Sequence, residues 1–251
     1  MYHSKRKNYL YKFKLENRFY VCVLLIFGLL FSGCQADNNS NRNGVEAADE
    51  EWTILFDGES IDHWRGYNMD GLPDGWLIEG DELVFRPEEG MNTTDIITNE
   101  KYSDFEFRAE YNISEGGNSG IFHHVIEQPG QAIFWSGPEM QILDNEAYPG
   151  NEDFQRSGSL YDLLPADPQN TLPPGEWNSV RIISEGADME YWQNGEKVVE
   201  FTRWSPEWFE MVRNSKFECH PSFGTVPEGH IGLQDHGDEV RFRNIEIRRL
   251  N

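Results

Sequence analysis

The chain has little cysteine, little basic charge and little helical periodicity. Its three cysteines are Cys22, Cys34 and Cys219. The first two fall in an N-terminal segment that reads as a targeting signal, so Cys219 stands alone and an intramolecular disulfide is excluded. Stability must then come from packing, for which eight Trp, ten Tyr and sixteen Phe supply large apolar surfaces. Twenty-one Lys and Arg face 44 Asp and Glu, a formal net charge of −23. That imbalance argues against a nucleic-acid partner, because polyanion binding rests on basic side chains neutralising phosphates. Nothing resembles a dinucleotide-binding glycine motif, so no nucleotide cofactor is expected. The only long apolar run, Phe19 to Phe31, is too short to span a bilayer comfortably.

That run follows Lys5, Arg6, Lys7, Lys12, Lys14 and Arg18, the charged and apolar halves of a signal peptide. It closes on Phe31-Ser32-Gly33-Cys34. Small residues before a cysteine resemble a bacterial lipoprotein signal, in which the cysteine is lipidated and begins the mature chain. Phe31 stands where Leu is usual, and an ordinary secretory signal is the alternative. The expected organisation is a signal over 1–33, lipidated Cys34 with a flexible polar tether to residue 50, and one domain over 51–251. Removing residues 1–33 leaves 15 basic against 43 acidic residues. The expected location is a bacterial cell membrane, with the domain in the periplasm or at the cell surface.

The body of the chain alternates with period two. In "DFEFRAEYNI" (104–113), Phe105, Phe107, Ala109 and Tyr111 oppose Glu106, Arg108, Glu110 and Asn112, as in a half-buried strand. "MEYWQNGEKVVEF" (189–201) places two strand-like runs around Asn194-Gly195, a type I′ hairpin turn. Further strands are expected at 52–56, 76–79, 82–86, 95–98, 118–126, 177–184, 229–235 and 239–249. In the last of these, Val240 and Phe242 share one parity and Ile245 and Ile247 the other, which requires a bulge near Arg243–Asn244. One helix is expected near 205–216, capped by Ser205 with Pro206 at its first position. Many short strands with little helix make the chain all-β, a sandwich or a barrel.

Eight segments occur in order: "WTILFDGESIDHWRGY", "GGNSGIF", "GPEMQILDN", "SGSLYDL", "GEWNSVRI", "YWQNGEKVVEF", "GHIGLQDHG" and "VRFRNIEIRRL". Together, from about Trp52 to Leu250, they resemble the 3-keto-disaccharide hydrolase domain family. The resemblance implies a concanavalin A-like jelly roll, a sandwich of two curved antiparallel sheets whose concave face forms a carbohydrate cleft. It also implies an enzyme cleaving 3-keto-glycosides or 3-keto-disaccharides. A ketone at C3 acidifies the C2 proton, so the C1 substituent can leave by β-elimination and water can add afterwards. A separate oxidoreductase must then make the keto sugar. A non-catalytic, lectin-like carbohydrate-binding lipoprotein is the alternative.

Jelly-roll glucanases of the ordinary kind carry alternating acids on one cleft strand, two of them about 5 Å apart in retaining enzymes. Here Glu139 alternates with Gln141 and then Leu143, so that pair is missing. Elimination needs one base, one acid and donors or a metal at the enolate oxygen. Glu139 is the first candidate. His236 is the second, since histidine ordinarily titrates nearest neutrality. Gln141, Gln234, Asn118, Ser119 and His124 are candidate hydrogen-bonding groups for sugar, and Tyr161, Trp135 and Trp192 candidate stacking surfaces. His123 and His124 have opposite parity, so at most one should face the cleft. A divalent metal is conceivable, with Asp144 a weak candidate ligand, but no H-x-H or HExxH spacing supports a dedicated site.

Overall fold

The computed structural model describes residues 51–250. The signal, Cys34 and the tether to residue 50 lie outside the described residues. Thirteen strands, one α-helix and two single 3₁₀ turns make up the described chain.

The strands form two antiparallel sheets. The larger contains β1 (Thr53–Phe56), β3 (Trp76–Glu79), β4 (Glu82–Phe85), β6 (Phe105–Ile113), β9 (Asn178–Glu185), β10 (Asp188–Gln193), β11 (Glu196–Thr202) and β13 (Val240–Arg249). Its order is β11-β10-β9-β6-β13-β4-β3, and β1 also pairs with β13. The smaller runs β2 (Trp64–Gly66), β5 (Ile96–Thr98), β12 (His230–Leu233), β7 (Asn118–Val125), β8 (Glu139–Leu143). The three-residue β2 has no strand signal of its own in the sequence.

Alternation explains the core. Phe105, Phe107, Tyr111, Ile182 and Tyr191 of the large sheet meet Ile121, Met140, Ile142, Ile231 and Leu233 of the small one in one cluster, each fully buried. Burying each such side chain contributes roughly 1.5–3 kcal/mol. The expected bulge in β13 is present. The register with β6 shifts between Arg243 and Glu246, and Asn244 turns left-handed at φ 51°. Val240, Phe242, Ile245 and Ile247 therefore all face inward, with no exposed surface. The turn at Asn194 (φ 48°) and Gly195 (φ 83°) joins Gln193 to Glu196, as the hairpin motif requires.

The helix α1 spans Pro206–Arg213. Ser205 caps it by accepting Trp208 N–H at 3.1 Å. Trp208 is the helix's buried anchor, stacked between Phe201 and Phe223.

Candidate active site

On the small sheet, Met140 and Ile142 point into the sandwich, so Glu139 and Gln141 point out of it. Alternation alone would leave that outer face open to solvent, but both side chains are buried, at 5% and 2% exposure. The cover comes from the chain itself. Residues 157–161 run along the free edge of β8: Gly158 N–H bonds the Gln141 carbonyl, Gln141 N–H the Ser159 carbonyl, and Tyr161 N–H the Glu139 carbonyl. An otherwise bare edge is satisfied, and Tyr161 is brought over the outer face.

Beneath the Glu139 carboxyl lies Gly120 of β7. A Cβ at Gly120 would stand 2.3 Å from Glu139 Oε1, so the carboxyl occupies space that only glycine leaves free. Gly120 needs no special backbone conformation; its role is steric.

The recess above this floor holds about 150 Å³ and is lined by Asn118, Phe134, Glu139, Gln141, Tyr161, Lys216, Gln234 and His236. Gln141 Nε2 donates to Asn118 Oδ1 at 3.1 Å, and Asn118 Nδ2 faces His236 Nε2 at 3.4 Å. With its oxygen occupied, Asn118 offers His236 a donor, which leaves a lone pair on Nε2. Burial pushes the Glu139 pKa up to about 8; the Lys216 ammonium and a hydrogen bond from Gln234 oppose the rise, and the Asp95 carboxylate adds to it. Asp95 is itself raised to about 7 by burial, although its Oδ1 accepts Asp235 N–H at 2.9 Å. Lys216 sits at the exposed rim. The surrounding protein pulls its pKa down, against Glu139 and Asp162, which favour its charged form. Glu139 is thus a neutral acid near pH 7, close to its point of exchange, in a site also holding a histidine and an amine.

Six of the residues singled out by sequence converge here: Glu139, His236, Gln141, Asn118, Gln234 and Tyr161. Five others do not line the recess. Ser119 is fully buried and donates to the Gln234 carbonyl. Trp135 stacks on His220, ring centres 3.4 Å apart. Trp192 lies on the outer face of the large sheet beneath Arg181, in a wider groove of about 680 Å³. That groove's charges are mutually engaged, Arg108 with Glu246 for example, so its size alone does not make it the seat of chemistry.

His124 departs furthest from the simple alternation. Its left-handed backbone (φ 52°) breaks the register between β7 and β12, so both His123 and His124 are buried. Their Nδ1 atoms lie 2.7 Å apart, and His123 Nε2 meets Tyr191 Oη at 2.6 Å. Burial holds both neutral, His124 at about 3. Asp144 binds the backbone N–H groups of Gly116 and Glu146. Among the described residues, no three His, Cys, Asp or Glu side chains gather as a metal site.

Sequence reasoning passed over Lys216, Phe134 and Asp95. Phe134 reads as core and Lys216 as the basic end of a helix, and neither segment shows that it folds over β8.

Residues 51–248 match the family model described as a 3-keto-α-glucoside-1,2-lyase-like domain. The chain belongs to that family. It is an enzyme that cleaves glycosidic bonds, as the resemblance implied. Within this 3-keto-glucoside lyase-like family it is 36% identical over 244 residues to a Bacteroides thetaiotaomicron protein named 3-keto-disaccharide hydrolase, covering 86% of this chain and 83% of the relative. A solved "putative glycosyl hydrolase" from Parabacteroides distasonis superposes with a TM-score of 0.74 at 33% identity, over 80% of this chain and 94% of that one. A Bacillus subtilis protein of galectin-like fold, 15% identical, gives a TM-score of 0.51 over 79% of this chain and 94% of its own, a likeness of fold alone. The jelly-roll expectation is met. The lectin-like alternative gives way to an enzyme, in keeping with a recess that combines Glu139 and His236 instead of aromatics and amides alone.

Proposed function

We propose that this enzyme acts outside the cytoplasm on 3-keto-glycosides or 3-keto-disaccharides, by C2 proton abstraction, β-elimination and hydration. The names of the family model and of the relative from Bacteroides thetaiotaomicron support the substrate class. The observation that carries the mechanism is the Glu139 carboxyl, the one carboxyl lining the recess, held protonated at neutral pH beside His236. Double displacement needs an ionised nucleophile as well as an acid. Elimination needs one acid and one base.

His236 takes the C2 proton on Nε2, whose one lone pair faces Asn118 Nδ2 at 3.4 Å and turns to the substrate instead. The electron pair forms the enolate, then reforms the C3 carbonyl as C1=C2 forms and the bond from C1 to the leaving oxygen breaks. Glu139 hands its proton to that oxygen. Both groups are then set for the reverse roles: Glu139 carboxylate takes a proton from water as it adds at C1, and His236, exposed and exchanging its proton with solvent in between, gives a solvent-derived proton to C2. The sum is hydrolysis, with both residues restored. Asn118 orients His236, and Gln141 and Gln234 hold sugar hydroxyls. A recess of about 150 Å³ accommodates one ring, the keto sugar, and leaves the second sugar or aglycone at the mouth. The oxidation at C3 must come from a separate oxidoreductase. We further propose that Cys34 carries lipid and anchors the domain to a bacterial membrane, facing the periplasm or the exterior.

The test pairs glycosides that are native or oxidised at C3 and follows aglycone release with loss of C2 deuterium. Release from the 3-keto compound alone, with deuterium loss, is expected. Glu139→Gln should slow turnover of an alkyl glycoside by roughly 10²–10⁴-fold, the usual worth of a positioned acid. A nitrophenyl glycoside, whose leaving group needs no proton, should lose far less. Equal release from both oxidation states, or equal losses for both leaving groups, would sink the mechanism.

A further inference from the structure

We propose that Lys216 is a third catalytic residue, whose ammonium binds the C3 oxygen of the substrate and stabilises the enolate formed when the C2 proton leaves. The inference rests on the elimination reading above and adds the component that reading lacks. Removing the C2 proton places a full negative charge on the former carbonyl oxygen. Preorganised positive charge at that point is ordinarily the largest single contribution to such a step. Gln141 and Gln234 offer only neutral donors, and Glu139 is occupied with the leaving oxygen. Lys216 is the sole Lys or Arg among the residues lining the recess.

Its position is built from both sides. The helix stops at Arg213, and Ser215 turns the chain by bonding the Val212 carbonyl and accepting Phe217 N–H at 2.8 and 3.1 Å. Lys216 N–H donates to Asp162 Oδ2 at 3.1 Å, which ties it to the loop that delivers Tyr161. The next residue, Phe217, is buried and stacks on Phe223 with ring centres 3.9 Å apart. Backbone freedom at Lys216 is thereby removed, so little ordering is left for the side chain on binding.

The head group is held differently from an ordinary surface lysine. Lys197 is engaged by Glu190 and Glu200 at 3.1 and 2.5 Å. Among the described residues no salt bridge engages Lys216. Its Nζ lies instead over the rings of Tyr161, Phe217 and Phe134 at 4.1, 5.1 and 5.4 Å. Aromatic faces stabilise a cation without consuming its N–H donors. Lys216 therefore brings to the recess a charge with donors to spare, an arrangement suited to an oxygen that becomes anionic. Selectivity follows: an sp² oxygen at C3 gains charge during the reaction and a hydroxyl does not, so the interaction favours oxidised sugars in the transition state.

The experiment uses the full domain with Lys216→Met, which keeps the apolar stem and deletes the charge. Wild-type protein should wash deuterium out of C2 of a 3-keto glycoside, and Lys216→Met should do so on the order of 10²–10³-fold more slowly. Binding of a 3-keto sugar lacking a C1 leaving group should weaken several-fold while binding of its 3-hydroxy counterpart stays unchanged. Aminoethylation of Lys216→Cys with 2-bromoethylamine, which rebuilds a lysine-like side chain, should restore exchange; identically treated wild type controls for the exposed Cys219. Exchange in Lys216→Met within three-fold of wild type would overturn the proposal. So would equal loss of affinity for both sugars, which would mark a merely structural lysine. A borohydride-trapped substrate adduct on Lys216 would overturn it in favour of a covalent imine. If wild-type protein cleaves the 3-keto compound without any exchange at C2, the elimination reading itself fails, and this role with it.

Discussion

At the scale of single residues, Glu139 sets folding against function. A carboxyl with a folded pKa near 8 and an unfolded value near 4.5 binds a proton in the native state that the unfolded chain has already released. Stability then falls with rising pH between those two values, by at most about 1.4 kcal/mol per pH unit, and is flat beyond them. Glu139→Gln removes this dependence. Denaturant unfolding of the two proteins at pH 4.5, 6.5 and 8 should show the variant gaining on wild type as pH rises, with the gap levelling above 8. Asp95 titrates in the same direction in both proteins and largely cancels, whereas Lys216, which favours the ionised Glu139, reduces the gap. Parallel curves would mean that the carboxyl is not held protonated. Part of this site was legible because strand parity is a local property: Glu139 and Gln141 alternate with the inward Met140 and Ile142 and so share the outer face. Lys216 was not legible, because its place depends on a helix folding back over a strand some 70 positions earlier in the chain, and nothing in "NSKF" records that.

At the scale of elements, register and cover decide what a strand face becomes. β7 can pass under the Glu139 carboxyl only because Gly120 has no side chain. In Gly120→Ala the added methyl meets the far end of the Glu139 side chain, which can swing away, and alanine regains part of the strand stability that glycine loses, roughly 0.5–1 kcal/mol. Unfolding midpoints should therefore move little. Turnover should drop on the order of 10²-fold, since displacement of a catalytic group by about 1 Å has that effect. Retained turnover in Gly120→Ala would remove Glu139 from the chemistry. The two bulges show where sequence reading stops. In β13 the phase change from Val240 and Phe242 to Ile245 and Ile247 announced the left-handed Asn244, because polar residues marked the outward positions. In β7 the flanks of His123 and His124 are apolar on both faces. The left-handed turn at His124 left no trace in the pattern, and His124, a candidate hydrogen-bonding group for sugar, is buried instead. The helix was readable for the opposite reason, since its start is written in adjacent residues, Ser205 and Pro206.

At the scale of the whole molecule, the proposed anchorage has to be reconciled with charge. Residues 34–251, with 15 basic and 43 acidic side chains, are repelled by anionic lipid headgroups over a Debye length of about 8 Å at physiological salt. Residues 35–50 number sixteen and, fully extended, reach at most roughly 55 Å. With lipid on Cys34, as proposed, a tether of that reach is long enough to span the repulsive layer. The proposed anchorage must then rest on acyl chains alone, at about 0.8 kcal/mol per buried CH₂ and with no help from surface charge. Cys34→Ser should therefore abolish membrane association outright. In detergent phase separation of cells expressing each protein, wild type should enter the detergent phase and Cys34→Ser the aqueous phase, at low and high salt alike. Turnover of a 3-keto glycoside by soluble protein beginning at residue 35 should match the anchored form, because every residue placed in the site lies between Asp95 and His236. Wild type found in the aqueous phase would return the N-terminal segment to an ordinary secretory signal and leave the domain's chemistry untouched.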